Sequence, residues 1–443
     1  MSVEFPCDVL VVGAGPAGSC AAAVTAGEGM RTVLIDAKVR IGEQPHCGEF
    51  VPERLFVEFE LPRASVIHRV DSMETRITEI STDETGAGGL EAAAGEALNK
   101  VATSNLECAG ETFLSKKVCS LPPSGKFISF SQVRTRHRRD LTCEQSIEVF
   151  GEGCGEALFT KRVSPQITVT DSPGFLIDRV RFDRDLARDA AAAGATVLCS
   201  TRLLRKENRD WIARSGRQEI RFNPRFIIAA DGAISSVARG LGMGQPEVLR
   251  GLQIEAPFAG ASDRTYIFLD RSFVGGYGWV FPKGRTANVG VGLVPQRDLN
   301  GEQVAARFLD RLCRIGMIRP GRLARSGGLI PVSGIRDSLV VGNAVFCGDA
   351  AGLTHPITGA GIPQAVFSGR QAGRAVASAI KSSRSQPLAD YEAEIKGRYS
   401  GVIDHALKKR RVMMDSWDEP DFSKVCERTW IAFKGYRIRE RFK

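Results

Sequence analysis

Between Asp8 and Asp36 the chain reads Val9-Leu10-Val11-Val12, then Gly13-Ala14-Gly15-Pro16-Ala17-Gly18, then a small-residue stretch from Ser19 to Ala26, then a β-like run from Arg31 to Asp36. Very few backbones satisfy that order. The short aliphatic, β-branched runs are buried strands, and the stretch between them is a helix, so the segment is a βαβ unit. In G-x-G-x-x-G the glycines permit a tight turn, close approach of backbone to a pyrophosphate, and packing of helix on strand. Pro16 suits the first turn of a helix. With 47 glycines in 443 residues the motif alone is expected by chance roughly 0.5 times, so its setting has to carry the inference. Asp36, 18 residues after Gly18 and followed by Ala37, ends the second strand, where a carboxylate binds adenosine ribose hydroxyls. An acid there disfavours a 2′-phosphate and suits FAD or NAD better than NADP.

The rest of the chain is long and apolar enough, at 443 residues and 43% hydrophobic, for two or three intertwined regions around a large core. No window is apolar enough to cross a bilayer, and the N-terminus lacks a basic n-region, so a cytoplasmic protein without a signal peptide is expected. Eleven cysteines without any C-x-x-C pair argue for reduced thiols rather than a disulfide framework, and no metal is expected. Cys108, Cys119, Cys143 and Cys154 are too widely spaced for an ordinary zinc clip. The net charge is +9, and residues 405–443 hold eleven Lys or Arg against six Asp or Glu, interleaved with Trp417, Trp430, Phe433 and Tyr436. Such a stretch reads as a solvated helical face or as a surface for peripheral contact with lipid headgroups at the inner membrane face. The basic cluster Lys408 to Arg411 has no recognition module beside it, so nucleic acid is not an expected partner.

The elements arrange as a discontinuous Rossmann-type α/β domain, residues 1–77, 171–250 and 331–385, with an inserted antiparallel β domain, 251–330. Strands are expected at Gly174 to Asp178, Phe226 to Ala230 and Leu339 to Cys347, and helices at Val180 to Ala193 and Ile362 to Ile380. Residues 251–293 turn to short aromatic and β-branched segments with frequent glycines, as an antiparallel sheet requires. The insertion 78–170, which supplies part of that second domain at most, has weak periodicity, a Gly-rich stretch (Thr85 to Gly89) and a basic cluster (Arg134 to Arg139). Residues 386–443 form a basic helical C-terminal region.

Two later segments bear on the cofactor. Ile227 to Ala230 runs into Asp231-Gly232-Ala233 with Ser235, Ser236 and Arg239 behind, on chemistry alone a polar turn. Val345-Phe346-Cys347-Gly348-Asp349-Ala350-Ala351-Gly352 continues through His355-Pro356-Ile357-Thr358-Gly359-Ala360-Gly361 into the helix that starts at Ile362. The pair resembles the Asp-Gly and Gly-Asp motifs of the aromatic hydroxylase-like superfamily of FAD-dependent oxidoreductases. That resemblance implies that Asp231 and Gly232 lie beside the pyrophosphate and that Asp349 contacts the ribityl chain. It also implies that the stretch Pro356 to Ile362 presents amides to the reduced ring, where Gly359, Ala360, Gly361 and a helix N-terminus favour negative charge.

Within the superfamily, Gly276-Tyr277-Gly278-Trp279-Val280-Phe281-Pro282-Lys283-Gly284 is similar to the Tyr-x-Trp-x-Phe-Pro-Lys-Gly segment of the geranylgeranyl reductase family. His46-Cys47-Gly48 matches that family's Cys-Gly pair, and Arg179-Val180-Arg181-Phe182-Asp183 its Arg-x-x-Phe-Asp segment. The resemblance implies hydride transfer from reduced FAD to a double bond of an isoprenoid or prenyl lipid. Cys47 would be proton donor or substrate-positioning residue, Tyr277 and Trp279 flat apolar walls, and Arg179 a contact to the flavin phosphate or ribityl chain. NADPH or ferredoxin would be a transient electron donor. On their own, Cys47 is equally a small buried hydrophobe, and the aromatic strand a packing element. His355 before Pro356 is closer to ubiquinone-type hydroxylases, so a flavin monooxygenase of an aromatic or quinone-like substrate is the second reading. A non-catalytic flavin- or lipid-binding protein is the third.

Overall fold

A computed structural model describes residues 3–43, 47–61, 63–78, 113–121, 126–137, 140–150, 159–161, 166–295 and 300–437. The chain divides into one unit of residues 1–69, 174–252 and 325–411 and another of 70–173, 253–324 and 412–443. His46, Cys108 and Cys154 lie outside the described residues.

In the first unit, β1 (Val9–Val12) and β2 (Thr32–Ile35) pair in parallel with Val9 opposite Thr32, joined by α1 (Pro16–Gly27). Both strands are buried along their whole length, so an unbroken Val/Leu/Ile run is what this position selects. β3 (Thr196–Leu198) lies parallel outside β2, and β4 (Phe226–Ala229) lies parallel on the other side of β1. Beyond β4 come β5 (Val340–Val341) and β6 (Ala344–Phe346), which gives a six-stranded order β3-β2-β1-β4-β6-β5. The single strand expected over Leu339 to Cys347 is instead a hairpin, Val341 facing Ala344. Gly342 at φ +59 with Asn343 is the two-residue turn that reverses it. Ala229 sits between Val12 and Phe346. The chain therefore leaves three neighbouring strands at one sheet edge, through Gly13, Ala230-Asp231 and Cys347-Gly348, where open α/β sheets bind ligands.

Three more helices belong to this frame: α2 (Arg179–Ala192), α3 (Ile362–Ser382) and α4 (Gln386–Asp415). α2 begins at Asp178, whose carboxylate accepts from the Arg181 N–H at 3.0 Å. α3 carries Gly369 and Gly373 four residues apart on one face. A Cβ on Gly369 would lie 2.1 Å from the Ala17 carbonyl oxygen, and one on Gly373 2.8 Å from that of Ala21. Helix α3 thus touches α1 backbone to backbone.

In the second unit Arg264–Asp270, Tyr277–Pro282 and Thr286–Leu293 form antiparallel neighbours, with Phe268 opposite Gly278 and Tyr277 opposite Gly292. Val66–Thr78 adds a parallel neighbour, Ser72 opposite Arg264, so the meander gains one mixed pairing. Phe113–Leu121, Lys126–His137, Asp140–Phe150 and Phe159–Lys161 pair in sequence as an antiparallel sheet, in the stretch whose sequence periodicity is weak. The C-terminal aromatics are packed inward: Trp417, Trp430 and Phe433 are 7%, 2% and 7% exposed. Trp417 stacks edge-on against Phe422 at 5.1 Å, and the Arg271 guanidinium lies over Phe422. Of the basic side chains in that series, Lys408, Arg411, Lys424, Arg428 and Lys434 are exposed, whereas Tyr436 is half-buried and Arg410 is buried.

Because no side chain fits between α3 and α1, Gly369→Val is expected to lower stability by about 1–3 kcal/mol. Thermal unfolding against wild type checks this; an unchanged Tm would mean the helices are free to move apart.

Candidate flavin-binding and catalytic site

The nucleotide end of the site begins at Gly13, whose φ of +100 and whose approach to Ala230 (a Cβ would be 2.3 Å from its carbonyl oxygen) admit no side chain. The turn delivers the Ala14 N–H to Asp36 Oδ2 at 2.7 Å, while Asp36 Oδ1 accepts from Lys38 N–H at 2.8 Å. Each oxygen keeps a lone pair for a hydroxyl donor. Helix α1 starts at Gly15 with no side-chain cap and no acid in its first turn, and a Cβ on Gly15 would meet nothing within 4 Å. No side-chain cap therefore occupies its first N–H groups, as anion binding at a helix start requires.

At the end of β4, Asp231 Oδ2 accepts from the N–H groups of Ser236 (2.6 Å) and Val237 (3.2 Å). Its Oδ1 is buried without a partner, and burial pushes the carboxyl above its ordinary range. Gly232 follows at φ +82. Arg336, which the sequence does not single out, clamps this edge: its Nε donates to the Ala350 carbonyl at 2.6 Å, and its guanidinium lies over Phe346.

The turn after β6 comes next. Gly348, at φ +58, donates its N–H to Ser368 Oγ at 3.0 Å, and a Cβ there would stand 2.9 Å from that of Ala17. Asp349 Oδ1 accepts from Thr354 Oγ1 at 2.6 Å. Burial raises its pKa, opposed by Thr354 and by the charge of Arg179. His355 through Gly361 form a closed loop: His355 N–H donates to the Ala360 carbonyl and Gly359 N–H to the His355 carbonyl, both at 2.9 Å. The Gly359 amide is thus spent inside the loop, and its φ of +69 marks it as a turn former. Pro356 is buried, Ala360 exposed, and Ile362 is buried in the first turn of α3. Like α1, α3 begins at a glycine, Gly361, with no side-chain cap. Two uncapped helix starts, a glycine that opens on space, and a buried carboxylate oxygen lacking a donor are a donor and acceptor set that fits a flavin dinucleotide.

Arg179 does not stand as an open phosphate ligand. Its Nε and one terminal nitrogen grip Asp183 through two 3.0 Å bonds, with side chains 12% and 3% exposed, and the guanidinium charge also acts on the Cys47 sulfur. Burial favours the neutral guanidine, but Asp183 and Cys47 hold Arg179 above its ordinary range. Burial likewise pushes the Cys47 thiol up, while Arg179 and the Glu49 N–H pull it down. Cys47, Arg179 and Asp349, far apart in sequence, therefore meet in one electrostatic cluster of the first unit. Glu49 is the residue here that sequence reasoning misses.

In the second unit Tyr277 and Trp279 project from one strand, ring centroids 5.7 Å apart. Trp279 is 7% exposed and donates its indole N–H to Gln253 Oε1 at 2.8 Å, so its ring is fixed. Tyr277 meets the edge of Trp430 at 4.9 Å, whose own indole N–H reaches Thr75 Oγ1 at 3.3 Å.

A family model described as the geranylgeranyl reductase catalytic domain matches residues 253–317, which include Tyr277 and Trp279. A digeranylgeranylglycerophospholipid reductase of Methanothrix thermoacetophila is 30% identical over 390 residues, 85% of this chain and 79% of that protein. Digeranylgeranylglycerophospholipid reductase 3 of Methanosphaera stadtmanae is 27% identical over 417 residues, 91% and 84% of the two chains. Among solved structures, a geranylgeranyl bacteriochlorophyll reductase-like protein of Thermoplasma acidophilum aligns with a TM-score of 0.67 at 24% identity, covering 97% of this chain and 92% of its own.

The His355 ring accepts from the Ile357 and Thr358 N–H groups through Nδ1, and burial, helped by His405, lowers its pKa to about 4. Unfolded, it titrates near 6.5, so between those values the unfolded chain binds more protons and stability rises with pH. The contribution is whole above pH ~6.5 and is lost, at most ~3 kcal/mol, as pH falls toward ~4. His355→Asn keeps an acceptor without the titration. Its Tm should fall less than that of wild type across this window, and parallel Tm curves would exclude the effect.

Proposed function

This chain belongs to the geranylgeranyl reductase family, and from that membership we propose that it is an FAD-dependent oxidoreductase that saturates carbon–carbon double bonds of a prenyl lipid. The observation that supports the reading is the relationship to a named reductase over 85% of this chain, with Tyr277, Trp279 and Pro282 inside the stretch that matches the reductase catalytic domain.

Bound FAD, once reduced, supplies a hydride. Asp36 accepts hydrogen bonds from ribose hydroxyls, and the open start of α1 at Gly15, with Pro16, Ala17 and Gly18, receives the pyrophosphate. Asp231 Oδ1 takes a hydroxyl donor of the cofactor, and Asp349, held by Thr354, takes another from the ribityl chain. Amides from Gly361 onward, at the positive end of α3, favour the negative charge that accompanies reduction. An isolated alkene accepts hydride poorly, so a proton must reach the second carbon in a water-poor site. Cys47 is the proton donor in this reading. Tyr277 and Trp279 offer rigid apolar faces to the isoprenoid.

Electrons would reach the flavin from NADPH or ferredoxin, because the single G-x-G-x-x-G is committed to FAD. Among the described residues no helix is long and apolar enough to cross a membrane. A lipid substrate then implies peripheral contact with the inner membrane face, through the basic side chains of the C-terminal region.

Two measurements test the proposal. Anaerobic incubation of dithionite-reduced protein with prenyl lipids should give products heavier by two hydrogens per saturated bond; a gain of one oxygen under air would instead establish a monooxygenase. Asp349→Ala should copurify with far less flavin per chain, and full yellow absorbance would remove Asp349 from the cofactor site.

A further inference from the structure

Glu49 holds the key to this corner of the molecule. It is a buried non-glycine residue at φ +70, 4% exposed, a conformation that persists only where its surroundings impose it. Three bonds do so. Its N–H donates to Cys47 Sγ at 3.2 Å, its carbonyl accepts from Ile177 N–H at 3.0 Å, and its Oε1 accepts from Arg179 N–H at 3.4 Å. The sulfur is thereby pinned over the first residue of α2, where the Arg179 guanidinium reaches it while Asp183 holds the other edge of the fork.

We propose that Arg179, aligned by Asp183, is a positioning residue whose guanidinium faces the Cys47 sulfur and steadies the thiolate that proton donation leaves behind. The inference rests on Cys47 as proton donor in the proposed reduction. As the S–H bond breaks, a C–H bond forms at one alkene carbon, and the other carbon receives the hydride from the reduced flavin. The S–H electron pair stays on sulfur as negative charge, between the Arg179 cation and the Glu49 N–H, until solvent returns a proton. Among the described residues, the charged groups around the sulfur are Arg179 and Asp183 on α2, Glu49 on its own loop, and Asp349, on which the Arg179 charge acts, on the turn after β6. A buried ion pair adds little net stability over apolar residues of similar size, so stability alone gives no reason to place one here.

The test uses the flavin-loaded protein and follows iodoacetamide alkylation of the Cys47 peptide by mass spectrometry across pH. In Arg179→Gln, and in the paired Arg179→Gln/Asp183→Asn variant that leaves no lone buried charge, Cys47 should alkylate about tenfold more slowly near pH 8.5, its profile shifted upward by about one unit. Arg179→Lys, which keeps the charge without the fork, should recover part of the rate. An unshifted profile in either neutral variant, folded and with flavin retained, overturns the proposal. Separately, Cys47→Ala with full turnover overturns the donor role itself, whatever the alkylation rates.

Discussion

Contact of backbone with backbone around α1 is the constraint on which the cofactor half of this molecule depends. A Cβ on Gly18 would stand 1.8 Å from the Gly13 carbonyl oxygen, and one on Gly369 2.1 Å from that of Ala17. These contacts bring the turn after β1 and the helix that follows the Gly348 turn to a separation that side chains would prevent. Each of the two helices also begins without a side-chain cap, and the dipole of such a start favours an anion. The sheet fixes the third component, because Ala229 in β4 is held between Val12 and Phe346.

Much of this was legible because the requirements are local. Gly13, Gly15, Gly18 and Asp36 announce themselves through sterics and spacing, and the buried strands through unbroken aliphatic runs. Leu339 to Cys347 misled as a single strand because its apolar ends outweighed the Gly342-Asn343 pair between them, itself a turn signal. The pairing of Arg179 with Asp183 follows from i,i+4 spacing, but its reach to Cys47 does not, since loop closure over that distance leaves no periodic trace. Glu49 is invisible for a different reason: a left-handed glutamate is imposed by its neighbours, and no propensity encodes it. The C-terminal aromatics looked like a surface because basic residues interrupt them, whereas packing against Arg271, Phe422 and Tyr277 draws them inward.

The site also separates two ways of handling charge. At the proposed nucleotide end, the available charges are partial ones on backbone amides, fixed in place by the helices. Around Cys47 the charge is a full cation kept within the protein by Asp183, so its field on the sulfur is little screened by salt.

The edge contact between Trp430 and Tyr277 has a consequence for biosynthesis. Tyr277 emerges from the ribosome well before the indole that braces it, which is added 153 residues later. Until then the Tyr277 ring lacks its edge contact and is available to chaperones or to another nascent chain. Maturation of that wall is therefore a late event of translation.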